Sequence, residues 1–271
     1  MSIRLQGLDN LPPNSVVIVY DIEGIGDVSS PSKCFMWNLS AMILNNSLNS
    51  FDQFIYPHAV IPEPPDPKLF KVTTAFLTNA NAMPCAVVLD YFFKWIHNNY
   101  DSENGCVVLV SHGNFRYDQP LIQTEMIRHQ IIPPKNLYFL DTLHWFRSIK
   151  KGRKSYSLSS LYKDQFKKPI RNAHLALFDV HALNDLIMIQ KQSLHGIMYK
   201  CFQTALLRIP SVGLFTESLL YNGGIDSLEQ LVYKFINECL HDPKKLYQQL
   251  VKINIRPCIA ATISQHVSSL C

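Results

Sequence analysis

The chain has 271 residues, of which 47% are hydrophobic and 17% charged. This supplies one large core, or a core domain with a smaller appendage, and excludes global disorder. The net charge of +4 permits an anionic partner without demanding one. Residues 1–11 lack an apolar h-region and no stretch approaches about 18 uninterrupted apolar residues, so neither a secretory signal nor a membrane span is expected.

In chain order, SVVIVY (residues 15–20) is a short, β-branched apolar run that predicts a buried strand. It leads into DIEGIGD, where two glycines mark a turn. Residues 36–44 and 49–56 predict two further strands, joined through NNSLN as a hairpin. Residues 61–67 hold four prolines and predict an irregular loop. Residues 82–95 have helical periodicity, with Pro84 in the first turn. CVVLV (106–110) predicts a strand followed by the loop SHGNFRYDQ, then a helix over 120–130. NLYFL (136–140) predicts another apolar strand, and residues 158–162 and 174–192 read as helical. The order β-β-β-α-β-α-β-α-α predicts a three-layer α/β/α domain with a mixed central sheet.

Beyond about residue 190 the signals are helical, clearest over 227–239 and 244–253. The expected division is therefore a domain of residues 1–191 and a helical C-terminal extension of residues 192–271. The seven cysteines are odd in number, widely spaced and without a CxxC pair. They read as reduced thiols of an intracellular protein, neither a disulfide framework nor a zinc site.

Four acids stand out. Asp21 and Glu23 follow the first strand two residues apart. If the strand runs on through them, its period of two puts both carboxylates on one face, about 5–7 Å apart. Like charges that close raise a pKa unless a cation is shared, and for the pair taken alone a solvated strand end is the simpler reading. Asp118 stands at the junction of loop and helix, where a plain N-cap suffices. Asp179 shares its helix face with Ala176, Ala182, Leu183, Leu186 and Ile187, so it points toward a core. A lone buried carboxylate is costly, and Asp179 needs either a metal or a basic partner such as Arg147 or Arg171. His174 is about 140° from Asp179 on an ideal helix and would not share its face. However, it lies near the expected helix start, where the backbone can turn the imidazole back.

Taken together, acids after two strands and on one helix can converge at a crevice of the sheet, where open α/β folds place their sites. Oxygen-only ligands suit Mg²⁺ or Mn²⁺. Two such ions can activate a water and stabilise a leaving oxygen, with a histidine outside the ligand set accepting the water's proton.

These residues resemble the DnaQ-like, DEDDh-type 3′→5′ exonucleases of the ribonuclease H-like superfamily, over about residues 15–191. VYDIEGIG resembles the first exonuclease motif, LVSHGNFRYDQPLI the second, and HLALFDVHAL the third, with its H-x-A-x-x-D core at His174, Ala176 and Asp179. FLDTLHWFRS and YSLSSLY resemble the segments that precede the third motif. The resemblance implies a ribonuclease H-like fold and two Mg²⁺ or Mn²⁺ ions held by Asp21, Glu23, Asp118 and Asp179. It also implies that His174 orients or deprotonates water and that nucleoside monophosphates leave from a 3′ end. Gly24 departs from the Thr or Ser common after the glutamate, and SHGN departs from the usual second-motif form. Both departures bear on substrate contacts.

Lys150, Lys151, Arg153 and Lys154 crowd a loop that suits the phosphates of single-stranded DNA or RNA, and a solvated surface loop has the same composition. KKGRK is also a candidate nuclear-import patch. Phe115 and Tyr117 suit base stacking or plain packing. The helical extension is a candidate site for a protein partner. The other classes weighed are a binding module that has lost turnover and a metal-dependent phosphatase acting on small esters.

Overall fold

The structure is a computed structural model. It describes residue 8 and residues 11–26, 34–57, 72–101, 103–134, 136–196, 198–201, 212, 216, 219–220, 223–225 and 228–270. The proline-rich segment 61–67 lies outside them. The chain divides into a unit of residues 3–201 and a second unit that takes in residues 202–271.

In the larger unit, β1 (Val16–Gly26), β2 (Cys34–Ile43) and β3 (Asn46–Tyr56) form an antiparallel meander. Then follow α1 (Thr74–Asn79), β4 (Met83–Pro84), α2 (Cys85–His97), β5 (Val107–Ser111), α3 (Asp118–Arg128), β6 (Leu137–Asp141), α4 (Thr142–Ile149), α5 (Leu158–Phe166), α6 (Ala176–Met188) and β7 (Met198–Lys200). The seven strands form one sheet in the order β4-β3-β2-β1-β5-β6-β7. Strands β1, β5 and β6 run parallel, and β2 and β7 run antiparallel to their neighbours.

Alternation along β1 separates two cores. Ile18, Tyr20 and Ile22 pack with Phe92 of α2 and Leu121 and Ile122 of α3. Val19 packs on the opposite face with Trp145 of α4, Leu161 of α5 and Val180 and Leu183 of α6. The expected three-layer arrangement and mixed sheet are both present. By the same period of two, Asp21 and Glu23 belong to the α4–α6 side.

Several elements differ from the sequence expectation. β1 runs six residues past Tyr20 because β2 pairs with it as far as Gly26↔Cys34, so the two acids lie within the strand. The hairpin turn is shorter than NNSLN. It occupies residues 44–45, with Asn45 at φ +64°, a conformation asparagine tolerates. α1 has a weak sequence signal and is capped by Thr73, whose hydroxyl accepts the Phe76 N–H at 3.0 Å. α2 starts late because Met83 and Pro84 pair with β3. α4 was legible only as part of a motif. Asp141 caps it by accepting the Leu143 N–H at 2.8 Å. β7 falls in the segment expected to be purely helical.

The smaller unit contains α7 (Leu228–Tyr233), which runs into a π turn at Lys234–Glu238, followed by α8 (Pro243–Lys252) and α9 (Pro257–Leu270). Its own core includes Leu231, Phe235, Leu246, Leu250, Ile263 and Val267. Among the described residues, no helix is long and apolar enough to cross a membrane.

Candidate active site

The pairing of β1 with β2 sets Asp21 opposite Ser40 and Glu23 opposite Asn38, and a register shift follows immediately between Glu23 and Gly24. Both carboxylates therefore emerge from one face just before this irregularity in the ladder. Asp179 sits in the first turn of α6. One carboxylate oxygen from each of Asp21, Glu23 and Asp179 lies within 4.8 Å of the others.

Asp118 is buried, at 2% exposure. Its Oδ1 accepts the Ile22 N–H at 3.1 Å, and its Oδ2 accepts the Ser111 hydroxyl at 2.5 Å. The side chain is thus anchored to β1 and β5, with a further lone pair left on each oxygen, and helix capping does not account for it. Asp179 Oδ2 accepts the backbone N–H of His174 at 2.9 Å. Neither arginine weighed as its partner takes that role. Arg171 is exposed, and the Arg147 guanidinium lies over the Tyr156 ring at 5.8 Å.

The electrostatics follow from this crowding. Burial, then the charges of Asp118, Glu23 and Asp179, hold the Asp21 carboxyl well above its ordinary range. Burial and the charges of Asp179 and Asp118 push Glu23 up to about 8. Burial lifts Asp118 to about 7, against the hydrogen bonds from Ser111 and Ile22. Burial also raises Asp179, opposed by His174 through its N–H and its charge. A hard divalent cation among these oxygens removes the mutual repulsion, so the donor set fits Mg²⁺ or Mn²⁺.

His174 is exposed and lies in the turn before α6, with φ +71°. The off-face angle expected for a helical His174 does not apply, because α6 begins at Ala176.

The remaining candidates divide. Gly24 has no room for a side chain, since a Cβ would lie 2.7 Å from the Tyr117 hydroxyl and 2.9 Å from Leu121. Phe115 and Tyr117 are half-buried and pack on the α2–α3 core. Arg153 is engaged within the chain, its guanidinium bonding Asp164 at 2.5 Å and the Ser160 hydroxyl at 3.3 Å. The Lys150 ammonium donates to Gln165 at 3.2 Å, while Lys151 and Lys154 are exposed.

Four residues that sequence reasoning passed over position the site. The Asn114 side-chain amide donates to Leu140 O at 2.9 Å, and its oxygen accepts the Tyr20 hydroxyl at 2.5 Å, so it ties β6 to β1. Asp141 accepts N–H groups from Gly113 at 2.8 Å and Phe115 at 3.4 Å, which shapes the turn leading to Asp118. His112 Nε2 donates to Tyr156 O at 2.7 Å, fastening the basic loop to the end of β5. His112 and Asn114 stood in the motif SHGN, which was the available signal. Tyr20 stood in VYDIEGIG and Asp141 in FLDTLHWFRS, but their roles depend on contacts distant in sequence that those segments do not report.

A profile of the exonuclease family, of the RNase T type, matches residues 18–187. The chain belongs to this exonuclease family. It is a DnaQ-like 3′→5′ exonuclease family, and it is divalent-metal dependent. Three prime repair exonuclease 2 of Mus musculus is 39% identical over 90 residues, covering 30% of this chain and 38% of that protein. Its Homo sapiens counterpart is 36% identical over 88 residues, covering 29% and 37%. The match thus spans less than half the length of these curated relatives. Two solved structures share the fold, each with a TM-score of 0.50 and 13% identity. Cell-death related nuclease 4 covers 64% of this chain and 62% of its own. The nuclease domain of 3′hExo, described as a DEDDh family member bound to rAMP, covers 70% and 98%. The exonuclease family's ribonuclease H-like fold is the one described above.

Proposed function

We propose that this exonuclease-family chain is a metal-dependent 3′→5′ exonuclease that hydrolyses phosphodiester bonds at single-stranded DNA or RNA ends and releases nucleoside monophosphates. The observation that carries the reading is the convergence of Asp21, Glu23 and Asp179 within 4.8 Å, with Asp118 buried beside them.

In this reading Asp21, Glu23, Asp118 and Asp179 hold two Mg²⁺ or Mn²⁺ ions. When bound, such ions lower the pKa of water and stabilise the charge of the leaving oxygen. Asp118 is held rigid by Ile22 and Ser111, so its carboxylate is aimed before metal or substrate arrives. His174 receives the proton of the attacking water on its imidazole, and its exposure outside the carboxylate cluster gives that water a path. The N–H of the same residue on Asp179 couples the base to the ligand set. Lys151 and Lys154 meet phosphates, Lys150 and Arg153 shape their loop, and Gly24, Phe115 and Tyr117 border the terminal nucleotide. The exonuclease domain takes in residues 1–191 together with β7, and the helical part that follows residue 201 receives a protein partner. Reduced thiols suit an intracellular compartment.

The test is incubation with 3′- and 5′-labelled single-stranded DNA and RNA, in Mg²⁺, Mn²⁺ or EDTA, beside Asp179→Asn and His174→Ala. Metal-dependent laddering from the 3′ end, lost in both variants, supports the reading and names the preferred sugar. Binding without cleavage would indicate a nucleic-acid-binding module. Cleavage of small phosphate esters alone would indicate a phosphatase.

A further inference from the structure

A second group of metal-type ligands lies away from the four acids. Cys85 is the first residue of α2. Glu125 lies in α3, and His129 follows its last helical residue, continuing the turn through an N–H to Glu125 O bond of 3.0 Å. The i, i+4 spacing puts Glu125 and His129 on one face. Cys85 Sγ is 3.5 Å from Glu125 Oε2, His129 Nε2 is 3.3 Å from the same oxygen, and ligand atoms of all three residues lie within 4.8 Å of one another.

These separations have a specific meaning. Zinc bonds to sulfur, nitrogen and oxygen of about 2.3, 2.05 and 2.0 Å, set at tetrahedral angles, give edges of about 3.5 Å for S···O and about 3.3 Å for N···O. The observed distances match both edges. Cys85 and Glu125 are buried at 2% and 1% exposure, and the His129 side chain is 15% exposed. The second Glu125 oxygen, Oε1, is paired with Arg128, whose guanidinium lies 4.4 Å over the Phe35 ring. That pairing orients the carboxylate and leaves Oε2 toward the sulfur and the imidazole, as outer partners of metal ligands do.

We propose that Cys85, Glu125 and His129 bind a zinc ion, with water at the fourth position, and that it pins the C-terminal end of α3 to the start of α2. Mixed sulfur, nitrogen and oxygen donors select zinc over the hard cations suited to the acid site. Glu125 follows Asp118 by seven residues on one helix, about 10 Å along its axis, so the ion braces the helix that carries Asp118 without entering the chemistry. The cysteine spacing concealed this site, because its other two ligands are not cysteines and lie some forty residues along the chain.

Cobalt substitution tests it in the full-length chain. Bound Co²⁺ should show a thiolate-to-metal charge-transfer band and the intense visible bands of a four-coordinate centre. Asp179→Asn should keep both, because the acid site offers no thiolate. Cys85→Ser should abolish the charge-transfer band, and His129→Gln should weaken Co²⁺ and Zn²⁺ binding by roughly tenfold or more. A wild-type chain without the charge-transfer band would overturn the proposal, whatever the variants do. A band that survives in Cys85→Ser would also overturn it. In either case the three residues would be a hydrogen-bonded cluster in which the Cys85 thiol donates to Glu125.

Discussion

The side-chain oxygen of Asn38 on β2 accepts the backbone N–H of Ala176 at 3.0 Å. Ala176 is the first residue of α6, and Leu175 before it offers no side-chain cap. Asn38 is itself held by donating to Asp52 and to Gln53 O, both at 3.1 Å. One buried amide therefore fixes where α6 begins, and with it the Asp179 carboxylate and the His174 turn, opposite the Glu23 with which Asn38 is paired in the sheet.

Asn38→Ala should cost about 1–3 kcal/mol, because it leaves a buried N–H unpaired, and should weaken Mn²⁺ binding at the acid site. Urea unfolding together with a Mn²⁺ titration would measure both. Unchanged values in both would mean that something other than Asn38 holds the start of α6.

The crowded acids set a pH dependence. Glu23 moves from 4.5 to about 8 and Asp118 from 3.8 to about 7. Between the ordinary and raised values the folded chain binds more protons than the unfolded chain, so the stability these groups give is full at low pH and lost as pH rises through the raised values. Thermal unfolding in EDTA should show stability falling from about pH 4.5 toward about pH 8, with a shallower fall in Glu23→Gln. Mg²⁺ should stabilise the protein most at the upper end, where the ligands no longer compete with protons. Parallel curves for wild type and Glu23→Gln would contradict this account of the repulsion.

Gly24 and Tyr117 form a matched pair. Gly24→Thr should destabilise by roughly 1–3 kcal/mol through overpacking against the Tyr117 hydroxyl. Adding Tyr117→Ala should recover part of that loss. If the two substitutions simply add in a double-mutant cycle, the collision lies elsewhere.

His112→Ala should release the basic loop by removing the bond to Tyr156 O. Limited trypsin digestion should then cut after Lys151 and Lys154 sooner than in wild type, and nucleic-acid affinity should fall. An unaltered digestion rate would show that Tyr156, whose hydroxyl donates to Lys150 O at 2.6 Å, suffices to hold the loop.

Strands β1, β5 and β6 were legible because apolar, β-branched runs leave few alternatives, and α6 because its apolar residues recur at helical spacing, whereas the short strands β4 and β7 had no such run. Asp21, Glu23, Asp118 and Asp179 were legible because each stood where a carboxylate is costly or ordered in a motif. Boundaries slipped where a partner decided them. The reach of β1 past Tyr20 was set by pairing with β2, and the late start of α2 by pairing of Met83 and Pro84 with β3.

The sequence by itself determined the alternating layers, the separation of a helical C-terminal part and the residue types that converge, since periodicity and local chemistry act over a few residues. Only the tertiary structure decided that Ile22 and Ser111 take both oxygens of Asp118, that Asn38 starts α6, that Tyr117 fills the space over Gly24, and that Cys85 meets Glu125 and His129. Each joins groups distant in the chain through hydrogen bonds or close packing that exist only after the sheet has fixed their distance.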